Sequence, residues 1–498
     1  MTPPPEPHTD GGHGLDAVAP RRPWVILAIA CAAQFICVLD VSIVNVALPS
    51  MRESLGLSPG GLQWVVNGYA LTFAGFLLLG GRAADLLGSR RVFLAGLALF
   101  TAASLAGGLA QTGWHLVAAR FVQGLGGALV VPTTLTVLTT TFPQSHARAR
   151  ALAVLTAAAG AGGALGGVFG GLLTGLLGWR WVLFVNVPLG VVLSLAAAGA
   201  LPGASRGAAR GAARGRLDVP GSLAVTLGTS GVVAAIVVSE GRGWTSAPTL
   251  SLLGAAVLLL TGFLLWERRA RHPLVPPAVF RLRALMTANA LALLTSGVLP
   301  ATMFFLSLYL QNVRDMTPLW AGVALLPSAA GVALGAAAAS RLVGVLGPRA
   351  VFMAGSLLAA VALVWLSRLG PDSGYVGFVA VPLFLSMAGL SVAGLPLTLT
   401  AVAGAGPDRA GLASGLLNTA KQIGGAVGLA ALVTLAATRT AVLTAAGRTS
   451  EDVATTQGFG LALLVAAGAV LGAGLCGLAL PRDAPPKPAP ASPRAGVA

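Results

Sequence analysis

The chain has 498 residues, of which 56% are hydrophobic and only 9% charged, with a formal net charge of +16. Soluble domains carry about 25% charged residues, so an ordinary soluble domain is excluded. A membrane barrel would alternate in segments of about ten residues, and none occur. Apolar runs close to the ~20 residues of a spanning helix recur along the whole length, which predicts an all-α integral membrane protein.

Fourteen spans are predicted, at 24–49, 62–82, 92–111, 114–141, 151–177, 181–201, 219–239, 249–266, 286–310, 320–343, 350–367, 375–403, 411–436 and 458–480. The Pro/Gly-rich residues 1–23 and the Pro/Ala-rich 481–498 read as disordered tails. The first span carries Asp40, the only acidic residue well inside any span. A carboxylate at that depth costs roughly 2.5–3.5 kcal/mol on insertion scales and marks a proton, ion or substrate path. The fourth span carries Arg120 and the thirteenth Lys421. Three cysteines, Cys31, Cys37 and Cys476, lie within spans and read as small packing residues. No His/Cys cluster suggests a metal. The glycine-rich segments lack the Gly-Lys-Ser/Thr of a phosphate loop, so no cofactor, nucleotide or enzymatic activity is expected.

Positive charge follows the spans. With both termini cytoplasmic, 22 of the 31 Lys and Arg fall at the cytoplasmic ends and 7 in the outer loops. This is the positive-inside bias of short loops. It predicts a multi-pass protein of the cytoplasmic membrane that contacts anionic lipid, rather than a nucleic-acid binder. A monomer is expected.

The sequence repeats itself. Gly81 to Arg90 aligns with Ser340 to Arg349 at an offset of 259, pairing Arg82 with Arg341, Gly88 with Gly347 and Arg90 with Arg349. Gly162 to Gly166 resembles Gly424 to Gly428 at an offset of 262. The near-constant offset predicts an N-terminal six-helix half over 24–201 and a C-terminal half over 284–480. Cytoplasmic loops and two inserted helices, 202–283, lie between them. Paired halves are a transporter plan, with the site between them near the midplane.

The segment Gly81, Asp85, Gly88, Arg90, Arg91 has the spacing Gly-x-x-x-Asp-x-x-Gly-x-Arg-Arg and resembles the cytoplasmic signature of the major facilitator superfamily. Three further segments are similar to its fourteen-spanning drug:proton antiporter family: Leu39-Asp40-Val41-Ser42 through Pro49, Arg120-Phe121-Val122-Gln123-Gly124, and Trp179-Arg180-Trp181 through Asn186-Val187-Pro188. Asp218-Val219-Pro220-Gly221 and His272-Pro273-Leu274-Val275-Pro276 extend the resemblance across residues 24–480. It implies that the 81–91 cluster latches the two halves in the outward-facing state, with Gly81 allowing close helix contact. The fifth span carries Gly162, Gly166, Gly170 and Gly171 of the antiporter signature, with Gly167 where the family has proline.

Together these readings predict an exporter of lipophilic small molecules by proton antiport. Asp40 lies about 24 Å and Arg120 about 9 Å along their spans. These spans enter from opposite sides, so both charges fall at comparable depth. Burial disfavours the charged carboxylate and a guanidinium favours it, so relative movement of the two would load and release a proton. Candidate substrate contacts are Phe35, Asn45, Asn67, Tyr69, Gln123, Tyr309, Gln311 and Asn418. With Asp40 the only interior carboxylate, the expected substrate is neutral or monocationic rather than dicationic. A symporter or uniporter of a polar metabolite is the alternative. The third reading, a non-transporting receptor, is opposed by the latch segment and by Asp40 with Arg120.

Overall fold

A computed structural model describes residues 23–142, 145–201, 218–269, 279, 281–405, 410–447 and 450–480. The terminal tails and the His272–Pro276 segment lie outside them. Among the described residues the secondary structure is helical, without strands. The N-terminal half comprises α1 (Pro23–Leu55), α2 (Pro59–Leu87), α3 (Ser89–Gly108), α4 (Gly113–Thr141), α5 (Ser145–Leu177), the single turn α6 (Trp181–Phe184) and α7 (Asn186–Ala200). Next come α8 (Val219–Arg242) and α9 (Ala247–Arg269). The C-terminal half comprises α10 (Arg283–Thr295), α11 (Val298–Leu308), α12 (Pro318–Ala324), α13 (Leu326–Leu366), α14 (Val381–Ala405), α15 (Ala410–Ala445) and α16 (Glu451–Cys476).

Twelve helical stretches among the described residues are long and apolar enough to cross a bilayer, against the fourteen predicted. Two differences account for the count. The predicted spans 320–343 and 350–367 fall in one 49-residue stretch, Pro318–Leu366. Its helical bonding runs past a kink at Gly347, whose φ of 79° and ψ of 161° are not helical. The predicted span 62–82 falls in the 29-residue α2, part of which lies outside the described residues, and α2 is not one of the twelve.

Packing follows the sequence repeat. In the first half α1 lies on α5, α2 on α4, α3 on α4, and α3 on α7. In the second, α10 lies on α15 and the long α13 on both α14 and α16. The aligned glycines explain part of this. Gly88 (φ 90°) and Gly347 (φ 79°) both hold left-handed backbone at the break between successive helices, a region other residues enter only with strain. A Cβ on Gly162 would lie 2.7 Å from the Phe35 carbonyl of α1, and one on Gly424 would lie 2.2 Å from the Leu293 carbonyl of α10. Between the halves, α5 meets α12 and α2 meets α15, a matched exchange under the same repeat. The inserted α8 covers the second seam by packing on both α2 and α15.

The side on which α1 begins is called the near side, and the side on which it ends the far side. A buried apolar cluster on the far side draws from both halves: Ile43, Leu48 and Met51 of α1 join Phe304, Phe305 and Leu310 from the C-terminal half. Toward the near side the clusters separate. Two belong to the first half (Ile26, Phe93 and Phe100 in one; Leu27 and Leu138 in the other). Others, such as that of Ala288, Phe352 and Leu417, belong to the second. The halves are therefore sealed together at the far side and diverge toward the near side.

Candidate proton-coupling centre

Asp40 is fully buried, and its two oxygens accept from three side chains on two other helices. Arg120 Nη1 of α4 donates to Oδ2 at 2.5 Å. Gln123 Nε2 of α4 and Asn186 Nδ2 of α7 both donate to Oδ1 at 2.7 Å. Arg120 is 2% exposed. Its Nη1 also donates to Gln123 Oε1 at 2.5 Å, and its Nε donates to the Val65 carbonyl of α2 at 3.0 Å. Gln123 Nε2 donates further to Ser104 Oγ of α3 at 2.8 Å, and that hydroxyl donates to the Phe100 carbonyl. The Arg120 guanidinium carbon stands 4.7 Å from the Tyr69 ring centroid, a cation–π arrangement. Asp40 and Arg120 thus form a buried ion pair. Burial of such a pair is tolerated when further hydrogen bonds support it, as those of Gln123, Asn186 and the Val65 carbonyl do here.

The local sequence explains the assembly. Arg120 and Gln123 are three residues apart and so share one face of α4. Small residues bring the neighbouring helices close enough: a Cβ on Gly124 would lie 2.3 Å from the Tyr69 carbonyl, and one on Gly126 would lie 2.6 Å from the Phe100 nitrogen. Asn186 stands at the first position of α7, directly after the break that follows the single turn α6.

The eight candidate substrate residues do not form one surface. Tyr69 and Gln123 belong to the ion-pair network instead. Asn45, Tyr309 and Gln311 belong to the far-side closure. There Ser307 Oγ donates to the Asn45 carbonyl at 2.8 Å, and Gln311 Nε2 to the Val46 carbonyl at 3.0 Å. Tyr309 Oη donates to the Gly370 carbonyl at 2.9 Å. Asn67 is buried, with both amide atoms lacking a partner among the described residues. Phe35 is half-buried and Asn418 exposed. Sequence reasoning missed Ser104, and it quoted Asn186 only as part of a motif. The signal for Asn186 was an amide inside an apolar span, which usually means helix–helix hydrogen bonding.

Around the latch segment, Gly88 caps the end of α2, and Arg90 Nη2 donates to the Ala198 carbonyl of α7. The close helix contact lies at Gly80 rather than at Gly81. A Cβ on Gly80 would fall 2.1 Å from the Ala128 carbonyl, whereas one on Gly81 meets only Pro132 at 3.7 Å. The Asp85 side chain lies outside the described residues. In α5, Gly162, Gly166 and Gly170 face α1, while Gly171 faces α12. Gly167, at the proline position, faces α12 as well: a Cβ on Gly322 would lie 2.2 Å from its carbonyl oxygen. Asp218 caps α8 by accepting from the Gly221 amide at 3.0 Å, and from Trp266 of α9 at 2.8 Å.

The sequence profile of the Major Facilitator Superfamily matches residues 30–429. The chain is 40% identical over 412 residues to the cephamycin export protein of Amycolatopsis lactamdurans, covering 82% of this chain and 84% of that one. It is 38% identical over 458 residues to the puromycin resistance protein of Streptomyces alboniger, covering 91% and 90%. Among solved structures, an auto-inhibited peptide transporter of the POT family superimposes with a TM-score of 0.68 at 17% identity, over 94% of this chain and 99% of that one. That likeness concerns the fold.

Proposed function

Because the chain belongs to the Major Facilitator Superfamily, and its relatives include antibiotic export and resistance proteins, we propose that it exports lipophilic small molecules, neutral or singly charged, in exchange for protons. The observation that carries this reading is the buried Asp40–Arg120 pair with its amide donors Gln123 and Asn186. Such a pair makes protonation an energetic event: neutralising Asp40 releases Arg120 from its counter-ion, and removing one partner of a buried pair costs about 3–5 kcal/mol.

Helix α1 connects that event to access. It carries Asp40, and one turn further along it carries the Asn45 and Val46 carbonyls that receive Ser307 and Gln311 of the second half. A rearrangement of α1 on protonation therefore reaches the far-side seal without any intervening loop. With the termini in the cytoplasm, the far side is extracellular and the conformation is inward-facing. Alternating access then exchanges this seal for one at the near side, where the Asp85 segment serves as the latch.

Fourteen crossings fit this plan. A straight helix of 49 residues would span about 73 Å, more than twice a hydrocarbon core of ~30 Å, so Pro318–Leu366 supplies two crossings that turn at Gly347. The α2 helix, enclosed by α4, α8 and α15, supplies the other. A twelve-helix core with α8 and α9 inserted follows.

The test is flux in proteoliposomes under an imposed proton gradient, with dyes and antibiotics as cargo. Wild-type protein should concentrate cargo when a gradient is imposed, and Asp40→Asn, which keeps the side-chain shape, should insert normally yet lose uphill transport. Uphill transport by Asp40→Asn with unchanged pH dependence would remove Asp40 from the proton path.

A further inference from the structure

Beyond the proton-coupling centre, one further charged residue lies well inside a span. Lys421 of α15 is half-buried. Its Nζ has a single hydrogen-bond partner among the described residues, the Thr398 hydroxyl of α14 at 3.5 Å, and that hydroxyl donates to the Gly394 carbonyl. Three N–H groups on the ammonium thus face one distant acceptor. No carboxylate is available to it. Asp40 is the only acidic residue well inside a span, and Arg120, Gln123 and Asn186 already occupy both its oxygens.

The other faces of α15 are committed. Gly424 and Gly428 pack on the backbone of Leu293 and Gly297. Thr419 approaches the Ala74 carbonyl of α2, and Ala426 and Ala430 join Leu71, Val233 and Ile236 beneath the inserted α8. The face left over carries Asn418, Lys421 and Gln422, with Asn418 exposed one turn before Lys421. Through Lys421 and Thr398 that face meets α14. Lys421 lies eleven residues into α15, about 16 Å along the helix.

Well inside the spans there is therefore one neutralised pair and, at Lys421, one positive charge without an ion-pair partner among the described residues. An ammonium in a low-dielectric cavity is costly unless it is paired. A cation entering this space would meet repulsion from Lys421 and no free carboxylate.

Resting on the export reading above, and in place of the monocations expected from the sequence, we propose that the singly charged substrates of this transporter are anions: an apolar body with one carboxylate or sulfonate, held by Lys421 Nζ together with the Thr398 hydroxyl and the Asn418 amide. The anion completes the coordination of Lys421, and the apolar body occupies the remaining cavity.

Two dyes that share one skeleton test this: 8-anilinonaphthalene-1-sulfonate, an anion, and neutral N-phenyl-1-naphthylamine. Binding is measured on the purified full chain in phosphatidylcholine nanodiscs, and flux in phosphatidylcholine vesicles. Lys421→Gln should weaken binding of the sulfonate tenfold or more and leave the neutral dye unchanged, while Lys421→Arg should retain the sulfonate. An equal loss for both dyes, or no loss for the sulfonate, would overturn the proposal. So would a selectivity that arises only when phosphatidylglycerol is added, because that outcome assigns Lys421 to a lipid headgroup. Charge-selective binding without gradient-driven flux of either dye would count against export while upholding the anion site.

Discussion

Asn186 shows how much of this protein rests on single polar contacts. It donates to the same Asp40 oxygen as Gln123, from a different helix, and it is fully buried. Asn186→Leu leaves the carboxylate one donor short, and an unmet buried hydrogen bond costs about 1–3 kcal/mol. The loss should depend on Asp40. In a double-mutant cycle read by thermal unfolding in detergent, Asn186→Leu should destabilise the wild-type background more than the Asp40→Asn background, a coupling expected of residues in contact. Equal losses in both backgrounds would show that Asn186 packs without supporting the charge. Asp40 and Arg120 were legible in the sequence because a charge inside an apolar span is conspicuous. Gln123 was read as a substrate contact, since an amide has the same appearance in a cavity and in a network. Only the position of α3 and α7 against α4 separates the two.

At the scale of elements, α5 and α12 meet in a close contact between the two halves. A Cβ on Gly171 would lie 2.4 Å from the Pro318 carbonyl, and one on Gly322 would lie 2.2 Å from the Gly167 carbonyl. Backbone this close leaves no room for a side chain, so Gly322→Ala should push α12 from α5 and open the far side. With the native cysteines Cys31, Cys37 and Cys476 replaced and a single cysteine placed at Gln311, labelling by an impermeant maleimide from outside should rise several-fold. An unchanged rate would mean that the seal does not depend on this contact. Asp85→Asn acts at the opposite end. Removing charge from the latch segment should shift the protein toward inward-facing states, read as lower labelling from outside and higher labelling from the cytoplasm. Unaltered accessibility on both sides would dismiss the latch. The glycines of α5 were legible as a close-packing stripe. That one side of the stripe meets α1 and the other meets the second half was not, because sequence spacing records faces and not neighbours.

For the whole molecule, the repeat and the charge distribution make a topological prediction. Side-specific reporters placed after Leu201, after Arg269, at Gly347 and after Leu480 should all report the cytoplasm. Reporters near Trp244, Asp315 and Gly370 should report the exterior. An exterior signal at Gly347 would reduce Pro318–Leu366 to a single crossing and break the fourteen-span plan.

The sequence by itself determined the helical membrane class, the offset repeat with its paired glycines Gly88 and Gly347, and the two charges of the ion pair. Each of these is carried by composition, by spacing or by the cost of a charge in lipid, and none depends on which helix stands beside which. The tertiary structure alone decided that Gln123, Asn186 and Ser104 converge on Asp40. It also placed Asn45, Tyr309 and Gln311 at the far-side closure, and left Lys421 without a carboxylate partner among the described residues. The reason is physical. In an apolar chain nearly every face of a helix can be buried, so hydrophobic periodicity no longer marks the inside, and the partners of a polar side chain are fixed only when close-packed glycines set the helices in register.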